Sequence, residues 1–147
     1  AIASGGVLVV NDEAVAPLSS LEAQIKRVIE KERIELERRE RLYRDGRPLP
    51  QMKDKTVIVV DDGLATGATM YAALRALRRF SPARLVVAVP VAAPGTCEAF
   101  KREADECVCV ITPEFFYAVG QWYQDFAPTS DETVKKFLEL SEKRIAA

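Results

Sequence analysis

The chain has 147 residues, 48% of them hydrophobic, with 21 basic and 22 acidic residues, a net charge of −1 and no histidine. That length and apolar fraction suit a single domain with one core, and the balanced charge argues against a nucleic-acid or membrane surface. Without histidine there is no Ser-His-Asp triad, histidine zinc site or imidazole acid–base chemistry, so catalysis must rest on carboxylates, dipoles and metal.

In chain order, Gly6 to Val10 reads as a short strand, followed by the turn-like Asn11-Asp12-Glu13. Ser19 and Glu22 have capping-box spacing and open a helix over about residues 20–45. Its apolar positions Leu21, Ile25, Val28, Ile29, Leu36 and Tyr43 keep helical spacing, interrupted at Glu32, up to a stop at Asp45-Gly46. At about 1.5 Å per residue this helix spans about 39 Å, long for a small domain. Lys, Arg and Glu alternate on its other faces from Lys26 to Arg44, the pattern of a solvated face with i,i+4 pairs.

The most informative stretch runs from Val57 to Met70. Val57-Ile58-Val59-Val60 is a buried strand that ends in Asp61-Asp62, which places two carboxylates at the sheet's carboxyl edge, where open α/β sheets bind ligands. Gly63 to Thr69 can wrap backbone N–H groups around an anion, and a helix starting near Ala68 adds its positive dipole end. Carboxylates repel phosphate, so Asp61 and Asp62 suit ribose hydroxyls or a hydrated Mg2+. Thr66 and Thr69 supply hydroxyls, while Ala65, Gly67 and Ala68 keep bulk away from the ligand. The whole reads as a cradle for ribose 5-phosphate. It has neither the lysine and spacing of a Walker loop nor the G-x-G-x-x-G of dinucleotide folds. The alternative, a capped strand–turn–helix with no ligand, would leave two adjacent acids at a buried strand end without partners.

The cradle helix, Ala68 to Phe80, has Met70, Ala73, Leu74 and Leu77 placed to pack on a sheet. Arg84 to Val91 is nearly continuous in apolar residues, as in a strand covered on both faces. Pro94-Gly95 opens a helix to about Ala104, and Glu106 to Ile111 is the next strand. Strands alternating with helices across short connections predict a doubly wound, mainly parallel α/β sheet in one domain, 1–147. Cys107 and Cys109 point to one face of their strand, and with Cys97 they are expected to be reduced core thiols, since an odd count and a lone C-x-C make a poor zinc pattern. Thr129 and Glu132 have capping-box spacing before a packed terminal helix with Val134, Phe137, Leu138 and Ile145 on one face. No apolar run approaches 18 residues and no leader is visible, so the expectation is a cytoplasmic protein without a membrane span.

The run Asp61-Asp62-Gly63-Leu64-Ala65-Thr66-Gly67-Ala68-Thr69-Met70 resembles the type I phosphoribosyltransferases, which bind phosphoribosyl pyrophosphate (PRPP) through a hydrophobic strand, two acids and a loop ending Thr-Gly-x-Thr. It is most similar to the adenine-type and orotate-type versions. Ala65 stands where 6-oxopurine enzymes carry an aspartate, and Val91-Ala92-Ala93-Pro94 stands where they carry a lysine that reads the exocyclic oxygen.

The resemblance implies transfer of 5-phosphoribosyl from PRPP to a nitrogenous base with loss of pyrophosphate and with Mg2+ as cofactor. It implies Asp61 and Asp62 as catalytic residues and Gly63, Leu64, Ala65, Thr66, Gly67, Ala68 and Thr69 as the PRPP loop. By the same likeness, the aromatic run Pro113 to Phe126 has Tyr117 stacking on the base and Asp125 approaching the metal, although the spacing after Gly120 is one residue longer than in relatives. The competing reading of that run is an ordinary aromatic core cluster in which Trp122 and Phe126 pack under a loop. The long helix, with Arg47-Pro48-Leu49-Pro50, stands where relatives keep a loop that closes over pyrophosphate, which would bring one of Arg41, Arg44, Arg47 or Lys53 to an anion.

The chain opens on Ala1, and the family's first strand and pyrophosphate loop would precede it, so the resemblance implies an amino-terminally truncated and weakly active polypeptide. Two alternatives to an enzyme remain open at this stage. One is a non-catalytic PRPP-binding regulator. The other is a domain working beside a hydrolase, with the long helix as a docking or homodimer surface.

Overall fold

The computed structural model describes residues 2–3, 7–8 and 22–145; the turn Asn11-Asp12-Glu13, Ser19, Leu21 and the ends of the first predicted strand lie outside the described residues. In chain order the elements are β1 (Ile2–Ala3), β2 (Val7–Leu8), α1 (Glu22–Arg44), β3 (Thr56–Val60), α2 (Ala68–Arg78), β4 (Arg84–Val91), α3 (Pro94–Glu103), β5 (Glu106–Ile111), a 3-10 turn (Val119–Trp122) and α4 (Asp131–Ile145). β1 and β2 pair antiparallel, whereas β3, β4 and β5 form a parallel sheet in that order. The α/β architecture expected from alternating strands and helices is present. Among the described residues no helix is long and apolar enough to cross a membrane.

Local chemistry accounts for the boundaries. β3 and β4 are rich in valine, which favours the pleated half-buried surface. α3 begins with Pro94 in its first turn, where a missing N–H costs nothing. α1 stops where Asp45 (φ 50°) and Gly46 (φ 76°) turn left-handed, as the Asp-Gly pair implied. Its polar faces carry the expected short-range pairs, including Arg33–Glu37 at 2.9 Å and Arg39–Glu35 at 2.8 Å. The predicted apolar stripe is only partly used, because Val28 is exposed.

The core lies on one face of the sheet. Leu85, Val87 and Val89 of β4 meet Met70 and Leu74 of α2 and Phe100 of α3, with Val57, Val59, Cys107 and Cys109 at the margins. Among the described residues the opposite face is exposed: Ile58, Val60, Val108 and Val110 alternate outward, Val110 with 76% exposure. A strand covered on both faces, read from the continuous apolar run of β4, is therefore found only in part. Val86 is buried on the second side, but Ala88 is half-buried and Pro90 exposed.

Three further expectations are corrected. Cys97 and Cys109 form a disulfide with Cα atoms 6.6 Å apart, leaving Cys107 as the free thiol, so the chain does not hold three reduced cysteines. Sequence spacing could not reveal that the first turn of α3 lies against β5. The cap of α4 is Ser130, whose Oγ accepts the Thr133 N–H at 3.2 Å, in place of Thr129. α4 is docked on α1 through Asp131, which is 2.8 Å from Arg38 and accepts the Tyr43 hydroxyl. The packed apolar face is weak there: Val134 is half-buried, but Phe137 is exposed.

Candidate functional site

The acidic pair sits where the chain leaves the sheet and rejoins it in register. Val60 pairs with Ala88 and Leu64 with Ala92, so the chain advances equally on both strands between the two pairings. The Leu64 N–H donates to the Val91 carbonyl at 3.0 Å, and the Ala93 N–H donates to the Leu64 carbonyl at 2.9 Å. Leu64 is fully buried and acts as a pin. Asp61, Asp62 and Gly63 are thereby held at the carboxyl edge between two anchored points.

Asp61 is half-buried and Asp62 exposed. The Asp62 N–H donates to Asp61 Oδ1 at 3.0 Å. Burial pushes the Asp61 carboxyl above the ordinary 3.8, opposed by that N–H and reinforced by the Asp62 charge.

Beyond Leu64 the backbone N–H groups of Ala65, Thr66, Gly67, Ala68, Thr69 and Met70 find no acceptor among the described residues. The last three belong to the first turn of α2, where N–H groups have no intrahelical partner. No side chain caps that helix, so its positive end is left to water or to an anion. Gly67 is the N-cap, with φ 71°, and a Cβ there would lie 2.3 Å from Phe100 Cε2. Thr96 Oγ1 donates to the Ala65 carbonyl at 2.6 Å. The loop is therefore braced from below by α3 while Ala65, Thr66 and Thr69 stay exposed.

The aromatic segment approaches the acids through residues that the sequence did not single out. The Tyr123 hydroxyl donates to the Asp62 carbonyl at 2.7 Å, and a Cβ on Gly63 would lie 2.7 Å from Val119 Cγ1. Tyr117 itself is 84% exposed, with its backbone N–H donating to Gln121 Oε1 at 3.2 Å. Asp125 is exposed and accepts the Ala127 N–H at 3.0 Å in a local turn. Among the described residues no hydrogen bond or ion pair joins Tyr117 or Asp125 to the acidic pair. The aromatic core cluster is not formed: Phe126 packs on Tyr123 with ring centroids 5.2 Å apart but is 47% exposed. Trp122 remains exposed. The four residues missed from sequence, Thr96, Phe100, Val119 and Tyr123, act across long separations, and no local pattern announces them.

The donor set can be tested against Mg2+. Among the described residues no three acids lie close enough to share an ion. The protein would then supply one or two carboxylates, which is the number Mg2+ takes when substrate phosphates and water complete its shell. Asp61 and Asp62, adjacent at the sheet's carboxyl edge, match that number, whereas Asp125 is held in its own local turn.

Comparison with known proteins accords with this geometry. The family model described as the phosphoribosyl transferase domain matches residues 1–126. The chain belongs to this family.

Two Mycobacterium tuberculosis proteins, from strains H37Rv and CDC 1551 and each named a putative phosphoribosyl transferase, are 39% identical to this phosphoribosyl transferase domain over 146 residues, covering 99% of this chain and 33% of theirs. The crystal structure of TT1426 from Thermus thermophilus is 39% identical and superposes with a TM-score of 0.72 over 93% of this chain and 64% of that one. The chain thus spans about a third of the length of the curated relatives it matches. Within the phosphoribosyl transferase domain, Ala92 and Ala93 serve the fold: Ala92 is buried and bridges to Leu64, and Ala93 is the N-cap residue of α3.

Proposed function

We propose that the protein carrying this domain transfers the 5-phosphoribosyl group of PRPP to a nitrogenous base and releases pyrophosphate. One observation carries the proposal: six successive N–H groups without acceptors among the described residues, Ala65 to Met70, follow two residues after a pair of carboxylates at the sheet's carboxyl edge. Ala65 to Thr69 would hold the 5-phosphate through main-chain N–H groups and the α2 dipole, with the Thr66 and Thr69 hydroxyls as further donors.

Asp61 and Asp62 would accept hydrogen bonds from the ribose hydroxyls. Breaking the anomeric bond builds positive charge on the ribose ring, and two carboxylates beside it favour that charge more than the ground state. Leu64 and Gly67 keep the acids and the anion loop at a fixed spacing, so the sugar is positioned at both ends. Tyr123 holds the Asp62 backbone, and exposed Tyr117 is available to stack on a base. Asp61 and Asp62 would also hold a hydrated Mg2+. When bound, that ion neutralises charge on the departing pyrophosphate. The lack of a lysine at Val91-Ala92-Ala93-Pro94 and of an acid at Ala65 points to an acceptor other than a 6-oxopurine.

The test is a panel of candidate bases incubated with full-length protein, PRPP and Mg2+, following pyrophosphate. Base-dependent release is expected with at least one acceptor. Saturable PRPP binding without release for every base would overturn transfer in favour of a PRPP-binding regulator.

A further inference from the structure

The three cysteines, of no use to the chemistry above, converge on one point. Cys97 is in the first turns of α3, and Cys107 and Cys109 project from β5 toward it; their Sγ atoms all lie within 4.8 Å of one another. Cys97 and Cys109 are joined, and Cys107 Sγ is 3.7 Å from Cys109 Sγ. Cys97 is buried, whereas β5 is an edge strand among the described strands and its two cysteines are half-buried, within reach of a small molecule.

The disulfide also bears on the anion loop. On one side of Cys97, Thr96 Oγ1 donates to the Ala65 carbonyl; one turn further on, Phe100 fills the space beside Gly67. The helix tied by the disulfide is therefore the helix that braces the loop from Ala65 to Gly67.

We propose that Cys97, Cys107 and Cys109 form a thiol–disulfide exchange site for low-molecular-weight thiols and disulfides, and that the pairing they adopt sets how firmly α3 braces the loop. Attack of the Cys107 thiolate on Cys109 Sγ forms the Cys107–Cys109 bond, breaks Cys97–Cys109 and releases Cys97 as a thiolate that then takes a proton. No electrons are lost or gained. The leaving sulfur sits near the amino-terminal end of α3, where the dipole favours a thiolate. Full reduction uses two small thiols, which leave as one small disulfide and give both electrons to the protein disulfide; a small disulfide reverses the step. Either change removes the covalent tie between α3 and β5 and leaves only their packing. Burial pushes the Cys107 thiol up, with Lys101 opposing, so its thiolate is disfavoured and the exchange should quicken as pH rises.

The effect on ligand rests on the phosphate-binding reading of the loop, but the exchange itself does not. Two measurements on the full chain separate them. Protein equilibrated in a glutathione buffer, acid-quenched and peptide-mapped should yield both Cys97–Cys109 and Cys107–Cys109 links, with Cys107→Ser giving the first alone and Cys97→Ser the second alone. Amide hydrogen exchange at residues 65–70 should be at least about tenfold faster in reduced than in oxidised wild-type protein, and oxidised Cys107→Ser should match the slower form. PRPP affinity should fall on reduction. Absence of the Cys107–Cys109 link in wild-type and Cys97→Ser protein, or equal hydrogen exchange in the two redox states, would overturn the proposal. Normal exchange behaviour with no PRPP binding in either state would support the site and sink the functional reading alone.

Discussion

Phe100 occupies the place that a side chain on Gly67 would need: its Cε2 lies 2.3 Å from the position of a Cβ there. Gly67 also has φ 71°, and Phe100 is fully buried and cannot swing away. A methyl at this point meets left-handed strain and overpacking together, for a combined cost of about 2–4 kcal/mol. Gly67→Ala is expected to lower the urea midpoint accordingly, and PRPP affinity should fall with it because the loop must shift off α3.

Asp61→Asn and Asp62→Asn keep shape and remove charge. Neither acid has a cationic partner among the hydrogen bonds and ion pairs of the described residues, so the fold should hold to within about 1 kcal/mol. Turnover should fall by about two to three orders of magnitude, the range for loss of one preorganised electrostatic group. Pyrophosphate release and thermal unfolding, measured on the same preparations, separate the two effects.

Asp61 also makes a pH prediction. Burial, its largest cause, raises the folded carboxyl above the ordinary 3.8. A raised folded value means that the folded state binds the proton more tightly. The protonated form then adds stability that is fully present below the unfolded value and is lost as pH rises through the folded one. Asp61→Asn should therefore be more stable than wild type at pH 7, with the gap closing as pH falls toward the ordinary carboxylate range. Melting curves across that interval check it; a gap that widens in acid would contradict the burial account.

Tyr123→Phe removes only the hydroxyl that donates to the Asp62 carbonyl at 2.7 Å. The expected stability loss is about 0.5–1.5 kcal/mol. Because Tyr123 positions the backbone of Asp62, kcat should fall more than KM changes, which steady-state kinetics with PRPP as the varied substrate would show.

The parts of the fold legible in the sequence were those set by local chemistry. β4 and β5 fall on the predicted Arg84–Val91 and Glu106–Ile111, and α2 starts at Ala68 as its small-residue turn implied. The loop from Asp61 to Thr69 was legible for the same reason, since acids at a strand end and a glycine before a helix are adjacent in sequence. Contacts across the chain were not. Thr96 reaches Ala65, Tyr123 reaches Asp62 and Cys97 reaches Cys109 only after α3 and the aromatic segment have packed. The exposed side of the sheet was misread because a continuous apolar run in β4 cannot show whether Ile58 and Val110 on the flanking strands are covered.

The most direct test of the central claim is an amide-shift titration of isotopically labelled full-length protein with ribose 5-phosphate. Saturable shifts concentrated on the N–H groups of Thr66, Gly67, Ala68 and Thr69, and lost in Gly67→Ala, are the predicted result. Shifts that fail to saturate, or that saturate elsewhere while those four amides stay still, would contradict it.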